Sequence, residues 1–378
     1  MHQHLPKVRP QSPAWIDGGG TIPGLDGMRA LSILIVMGSH TISARIPGGL
    51  GVYIFFVISG FLIAHLMFAE VAKTGRIGLR NFYIRRALRL YPALIAFVAV
   101  TTIYCVAIGF AMSPLDVPSA LLYFANFHRS RPFGIVWSLS VEEHFYFLFP
   151  AAMVLLKARP KAVIALAAAV CVGCLALRLS TALARPDLLS GSVFYAHTWY
   201  RLDSIAYGVL IAAILRAKGG PALLLRLANP LLTGGALLAM LYCLLERDPF
   251  FRETARYSLL GLSIAFVLIG VLFRPTPTAP LLNAPPLVWI GQLSYSLYLW
   301  HAFVRFVFET QFPEARTELF SPVLVAASIA AAAASYYGLE RPVQGLRKAL
   351  NPAQRPTRRW RADKPVDAIA STATGENK

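Results

Sequence analysis

The sequence predicts an all-α, polytopic integral membrane protein with about ten transmembrane helices and both termini cytoplasmic. Three observations lead there. Of the 378 residues, 56% are hydrophobic and only 14% charged, with a mean hydropathy of +0.57, whereas a soluble globular domain carries about 25% charged residues. The apolar residues gather into stretches near the ~20 residues that a helix needs to cross a bilayer: 28–44, 51–69, 90–110, 137–156, 162–177, 203–215, 230–245, 257–273, 287–308 and 320–339. With cytoplasmic termini, 24 lysines and arginines fall on inner segments and 10 on outer ones, the asymmetry that sets orientation in membranes. Several stretches are short, so the reading includes tilted or broken spans.

Taken in order, residues 1–23 are polar and proline-bearing, lack an apolar signal core and read as a cytoplasmic tail. The first span carries Arg29 and His40. Eleven residues are close to three helical turns, so the two side chains share a face about 16 Å apart along the axis. Ionisable groups at bilayer depth usually face a protein interior or a wet cavity, which makes this pair the start of a candidate site. Imidazole is suited to take a proton from a hydroxyl near neutral pH, best where a carboxylate orients it; a histidine bonded at the membrane interface is the competing reading.

The second span follows the turn at Gly48, Gly49 and Gly51, and the third is preceded by an arginine run on the inner side. Arg86 and Arg89 are three apart and share a face, with Arg85 flanking them. Guanidinium groups grip phosphates bidentately, although inner positive charge alone also accounts for them. The fourth span opens with Trp137-Ser138-Leu139-Ser140-Val141-Glu142-Glu143-His144-Phe145-Tyr146. Adjacent carboxylates among Phe145, Phe147 and Leu148 need partners. Since the first span ends outside and the fourth begins there, a pairing of His40 with Glu142 or Glu143 is expected; an ion pair with Arg201 is the structural alternative.

The fifth span contains the Cys171–Cys174 CxxC inside a plain apolar helix, and with Cys105 and Cys243 these read as packing residues without disulfide, redox or metal role. Arg201 and Asp203 enter the sixth span from outside, suiting either a hydroxyl-rich ligand or a local ion pair. The ninth carries Ser294, Tyr295, Ser296, Tyr298, Trp300 and His301, where interfacial anchoring explains the aromatics equally well. The basic segment 343–378 reads as a disordered cytoplasmic extension able to lie on anionic lipid, with no appended soluble domain. No basic stripe with interleaved aromatics supports nucleic-acid binding. The lack of an internal repeat weighs against many secondary transporters, although a transporter or flippase for a glycan or small polar solute stays as the rival, followed by a membrane sensor or assembly partner.

Taken together, Gly24-Leu25-Asp26-Gly27-Met28-Arg29-Ala30 with His40, then Phe55-Phe56-Val57-Ile58-Ser59-Gly60-Phe61-Leu62-Ile63, the run 82–92, the run 137–146, Arg201 to Gly208 and Ser294 to His301 resemble the acyltransferase family 3 membrane proteins. These are bacterial O-acyltransferases of surface and secreted glycans. The resemblance covers residues 24–342, read as one transmembrane acyltransferase domain. It implies an inner-membrane enzyme that moves an acyl group, acetyl by default, from cytoplasmic acyl-CoA to the hydroxyl of a glycan or lipid-linked saccharide outside. Residue by residue, it places the family's Arg-x10-His motif on Arg29 and His40, its Arg-x-x-Arg motif on Arg86 and Arg89 and its paired glutamates on Glu142 and Glu143. Joined to the readings above, it makes His40 with Glu142 and Glu143 the expected catalytic residues, Arg29, Arg85, Arg86 and Arg89 the expected donor site, and Asp26, Arg201 and Asp203 the expected acceptor site. No permanently bound cofactor or metal is expected. His144 stands where the family pattern leads us to expect Gln.

Overall fold

The computed structural model describes residues 14–17, 20–128, 130–274, 278–343 and 345; most of the expected N-terminal tail and nearly all of the basic C-terminal extension lie outside them. The described residues are helical throughout, without strands. In chain order the helices are α1 (Leu25–Thr41), α2 (Gly48–Thr74), α3 (Leu79–Ala107), α4 (Asp116–Leu121), α5 (Trp137–Leu155), α6 (Pro160–Ala184), α7 (Val193–Ala196) and α8 (Leu202–Arg216). They continue with α9 (Gly220–Leu227), α10 (Pro230–Leu245), α11 (Pro249–Glu253), α12 (Ala255–Phe273), α13 (Ala279–Leu282), α14 (Pro285–Gln311) and α15 (Ser321–Ser335), the last running into a π-helical turn at Tyr336–Glu340.

Each of the ten apolar stretches holds a long helix. Among the described residues, five segments are long and apolar enough to cross a bilayer: α2, α3, α6, α12 and Thr317–Val343; a sixth arises if α9 and α10, which meet at 64°, form one broken span. The remaining main helices have a physical reason to fall short. α1 and α8 have 17 and 15 residues, and the apolar content of α5 and α14 is diluted by the polar side chains described below.

Local chemistry sets the boundaries. Gly24 takes the left-handed conformation (φ 74°) before α1, where a Cβ would be strained, and its N–H donates to Asn283 Oδ1 at 2.8 Å. Gly75 closes α2 in the same conformation. Proline occupies the first turn of α6, α9, α10, α14 and α15, where its missing N–H would have no partner anyway. α3 starts eleven residues before the expected span, because its first three turns carry arginines that do not register as apolar. Pro92 lies inside it.

The centre of the bundle is α2 packed on α8, with α1 against α2 and α14, and α6 and α12 closing over α8. At several crossings the backbones touch. A Cβ on Gly208 would lie far inside van der Waals contact with the Val57 carbonyl oxygen, and one on Gly60 far inside contact with that of Ile205. Likewise, Gly291 of α14 lies against the Asp26 carbonyl of α1. Small residues allow this approach, which favours helix association in lipid.

Part of the expected tail belongs to the core. Trp15 is buried, its carbonyl lies 2.8 Å from His65 Nε2, and the Ile16 carbonyl accepts from Arg216. All four cysteines are buried and free.

Between α3 and α5, the buried Asp116 ties its loop together. Its Oδ1 is 2.8 Å from His128 Nε2 and its Oδ2 accepts the Ser113 N–H at 2.8 Å. Burial works against the charged carboxylate, but bonds from His128, Ser113 and Ser130 outweigh it and hold Asp116 below the usual carboxylate range. Its stabilisation is therefore complete above the ordinary value near pH 3.9 and lost as pH falls through the lower folded value. Thermal unfolding checks this: the gap between wild type and Asp116→Asn should be present at about pH 5 and close as pH falls below about 4.

Candidate active site

α1, α2, α3, α5 and α14 converge on one cleft whose wall includes Arg29, Arg86, Arg89, Glu142, Tyr146 and Ser294. Arg29, one turn into α1, donates to Ser294 Oγ at 2.9 Å and lies 3.5 Å from Asp26. Arg86 donates through Nε to Glu143 Oε1 at 3.3 Å, and its guanidinium lies 3.5 Å from the centre of the Tyr146 ring, within reach of its π face. The Tyr146 hydroxyl bonds Ser59 of α2. Ser138 Oγ meets the Tyr298 hydroxyl, which also donates to the Ile135 carbonyl at 3.0 Å. A second cleft, lined by Trp15, Ile22, Asp26 and His65, shares Arg29 and Leu62 with the first. Arg29 thus stands between two clefts.

His40 does not line either cleft. It is half-buried near the other end of α1, with its Nδ1 3.0 Å from His301 Nε2. The rings stack at 5.2 Å with 14° between their planes. Tyr298 connects the two regions: it lines the first cleft, and its ring centre is 5.9 Å from that of His301.

Several expected placements are corrected. His40 is partnered by His301, whereas Glu142 and Glu143 meet the arginines: Glu143 pairs with Arg86, and Glu142 lines the cleft. The early start of α3 carries Arg86 deeper into the bundle, to the level of the carboxylates. Arg85 turns away and pairs with Glu70 Oε2 at 3.0 Å, while Glu70 Oε1 accepts the Gly78 N–H, an arrangement that secures the α2–α3 turn and leaves Arg85 off the cleft wall.

Arg201 and Asp203 are fully buried and line neither of these clefts. Asp203 bonds Arg178 Nη2 and Ser258. Arg178 lies one residue beyond the apolar stretch 162–177, but the helix itself continues to Ala184. Arg201 donates to the Tyr53 hydroxyl at 2.7 Å among the rings of Tyr53, Tyr257 and Tyr195. His144 faces Thr198 Oγ1 at 2.7 Å and stacks on Phe127, so it packs outside the cleft.

Two further groups were not legible as site residues. His301 looked like part of an interfacial aromatic run. Glu340, at the end of the π-helical turn, is bonded by Ser296 and interacts electrostatically with Arg89 and Arg29; in the sequence it marks only the start of a tail. The cleft therefore gathers three guanidinium groups beside Glu142, with Glu143 and Glu340 behind them, an arrangement suited to an anion that binds bidentately.

A family model described as an acyltransferase domain matches residues 22–338. The "Putative O-acetyltransferase SACOL0978" of Staphylococcus aureus (strain COL) is 31% identical over 76% of this chain and 51% of its own length. The "Peptidoglycan O-acetyltransferase OatA" of Listeria monocytogenes is 28% identical over 74% of this chain and 49% of its own. The "O-acetyltransferase OatA" of Staphylococcus aureus (strain NCTC 8325 / PS 47) is 28% identical over 74% and 50%. The chain spans about half the length of these relatives. No solved structure matches it.

Proposed function

The chain belongs to acyltransferase family 3, and on that premise we propose that it is a membrane O-acyltransferase moving an acyl group, acetyl by default, from acyl-CoA to a carbohydrate hydroxyl. The donor enters from the cytoplasm and the acceptor from the far side of a bacterial inner membrane, across ten spans with both termini inside. The observation that carries this reading is the arginine-lined cleft at one end of α1 with an imidazole at the other. Arg29, Arg86 and Arg89 suit the CoA phosphates, and Arg29, standing between the two clefts, suits entry from the end where α1 begins. The pantetheine arm is long enough to follow several helical turns toward His40.

At His40 the acceptor hydroxyl gives up its proton as its oxygen attacks the thioester carbonyl. The C–S bond breaks, CoA leaves as thiolate, and the proton returns from the imidazolium to the sulfur. General-base assistance fits an alcohol that is otherwise a weak nucleophile. We read the transfer as direct in preference to an acyl-enzyme on His40 or a serine; the four cysteines, buried within the packing, offer no thiol for one. The names of the relatives support acetyl as the group and a cell-wall or related glycan as the acceptor.

Proteoliposomes given labelled acetyl-CoA and a saccharide acceptor test the proposal. Thioester should be consumed with label appearing on the saccharide, and Arg89→Gln should raise the donor KM about tenfold or more, as loss of a charged hydrogen bond implies. Solute movement without thioester consumption would establish the transporter reading instead.

A further inference from the structure

We propose that His301 is a positioning residue that fixes the tautomer of His40, so that His40 Nε2 carries the lone pair that accepts the acceptor's proton. This rests on the acyltransferase reading and deepens it. His301 is fully buried in α14, and its Nδ1 lies 2.7 Å from the Leu297 carbonyl one turn earlier. A carbonyl only accepts, so Nδ1 bears the hydrogen. A neutral imidazole has one N–H, which leaves His301 Nε2 as an acceptor. At 3.0 Å from it, His40 Nδ1 must donate, and the remaining nitrogen of His40, Nε2, is unprotonated.

The alternative, a doubly protonated His301, would set a cation wholly out of water. The charged group that interacts with both rings is another cation, Arg305 on α14, itself bonded to Glu309 at 2.6 Å. Tyr298 is the titratable side chain packed against His301. No carboxylate bonds either imidazole among the described residues. Donation thus runs from His40 to His301 and from His301 to the Leu297 carbonyl, which anchors the chain. When His40 takes the proton at Nε2, its Nδ1–H still donates to His301, so the imidazolium forms without any rearrangement of the pair.

The test combines two readouts on the full-length protein in proteoliposomes. With histidine 15N-labelled, solid-state NMR of wild type should show His40 protonated at Nδ1, assigned by its loss in His40→Ala. In His301→Leu that signal should move to the Nε2–H form. In parallel, His301→Leu should lower kcat about 10²-fold with the donor KM unchanged, and His301→Gln, whose amide oxygen can accept from His40, should recover at least tenfold of the loss. Retention of the Nδ1–H form in His301→Leu overturns the proposal, as does equal activity of the Leu and Gln variants. A tautomer shift in His301→Leu, with wild type consuming no thioester, supports the assignment and overturns the acyltransferase reading, so the two failures are told apart.

Discussion

Replacing His40 by alanine should lower acyl transfer by about 10²–10⁴-fold, the range general-base catalysis contributes, while the protein still inserts and folds. The side chain is half-buried and belongs to the last turn of α1, where alanine is an excellent helix former. What the substitution leaves behind is the His301 Nε2 acceptor without its donor, a cost of about 1–3 kcal/mol for an unsatisfied buried group. That is small beside the expected loss of rate. Initial rates of label transfer, with thermal unfolding of the same preparation in detergent, separate the two effects. A variant within tenfold of wild-type activity would remove His40 from the chemistry. One that fails to fold, while a His40→Gln variant folds and transfers normally, would assign it to helix packing.

Asp203→Ala should destabilise the bundle by about 3–5 kcal/mol, as expected when one partner of a buried ion pair is removed. Arg178 and Asp203 are both fully buried and 2.6 Å apart. Arg178 also donates to the Thr254 carbonyl at 3.1 Å, to Ser258 at 2.6 Å and to the Tyr200 carbonyl. One guanidinium thereby joins α6, α8, α12 and the turn before α8, and without Asp203 its charge stays in the interior. The double variant Arg178→Met/Asp203→Leu should regain most of the loss, because apolar residues of similar volume often substitute for a buried pair. Thermal midpoints in detergent and yields from membranes give the comparison. If Asp203→Ala melts like wild type and instead loses affinity for the saccharide, the acceptor role expected from sequence is correct.

The apolar stretches were readable because bilayer thickness writes directly into hydropathy. Depth was not, since charged residues inside a helix look like the end of a span. The three arginine-bearing turns of α3 hid its true beginning, and Arg178 hid the true end of α6. The first of these displaced Arg86 from its meeting with Glu143, and so assigned the glutamates to His40. The two-histidine contact was out of reach for a different reason: it joins residues 261 apart in the chain, and in the run from Ser294 to His301 the imidazole is outnumbered by aromatics that serve as interface anchors in many membrane proteins. Arg29 and His40 were legible as a pair because their relation is local, fixed by helical repeat alone.

The glycine crossings have a mechanical consequence. With Gly60 and Gly208 bringing two main chains into contact, and Gly291 doing the same between α14 and α1, neither pair can slide or rotate without collision, so α8–α2 and α1–α14 behave as stiff beams. α3 and α5 contain no glycine and present only side chains across the cleft. Any breathing of the cleft is therefore one-sided, and widening it is a matter of trimming α3 and α5.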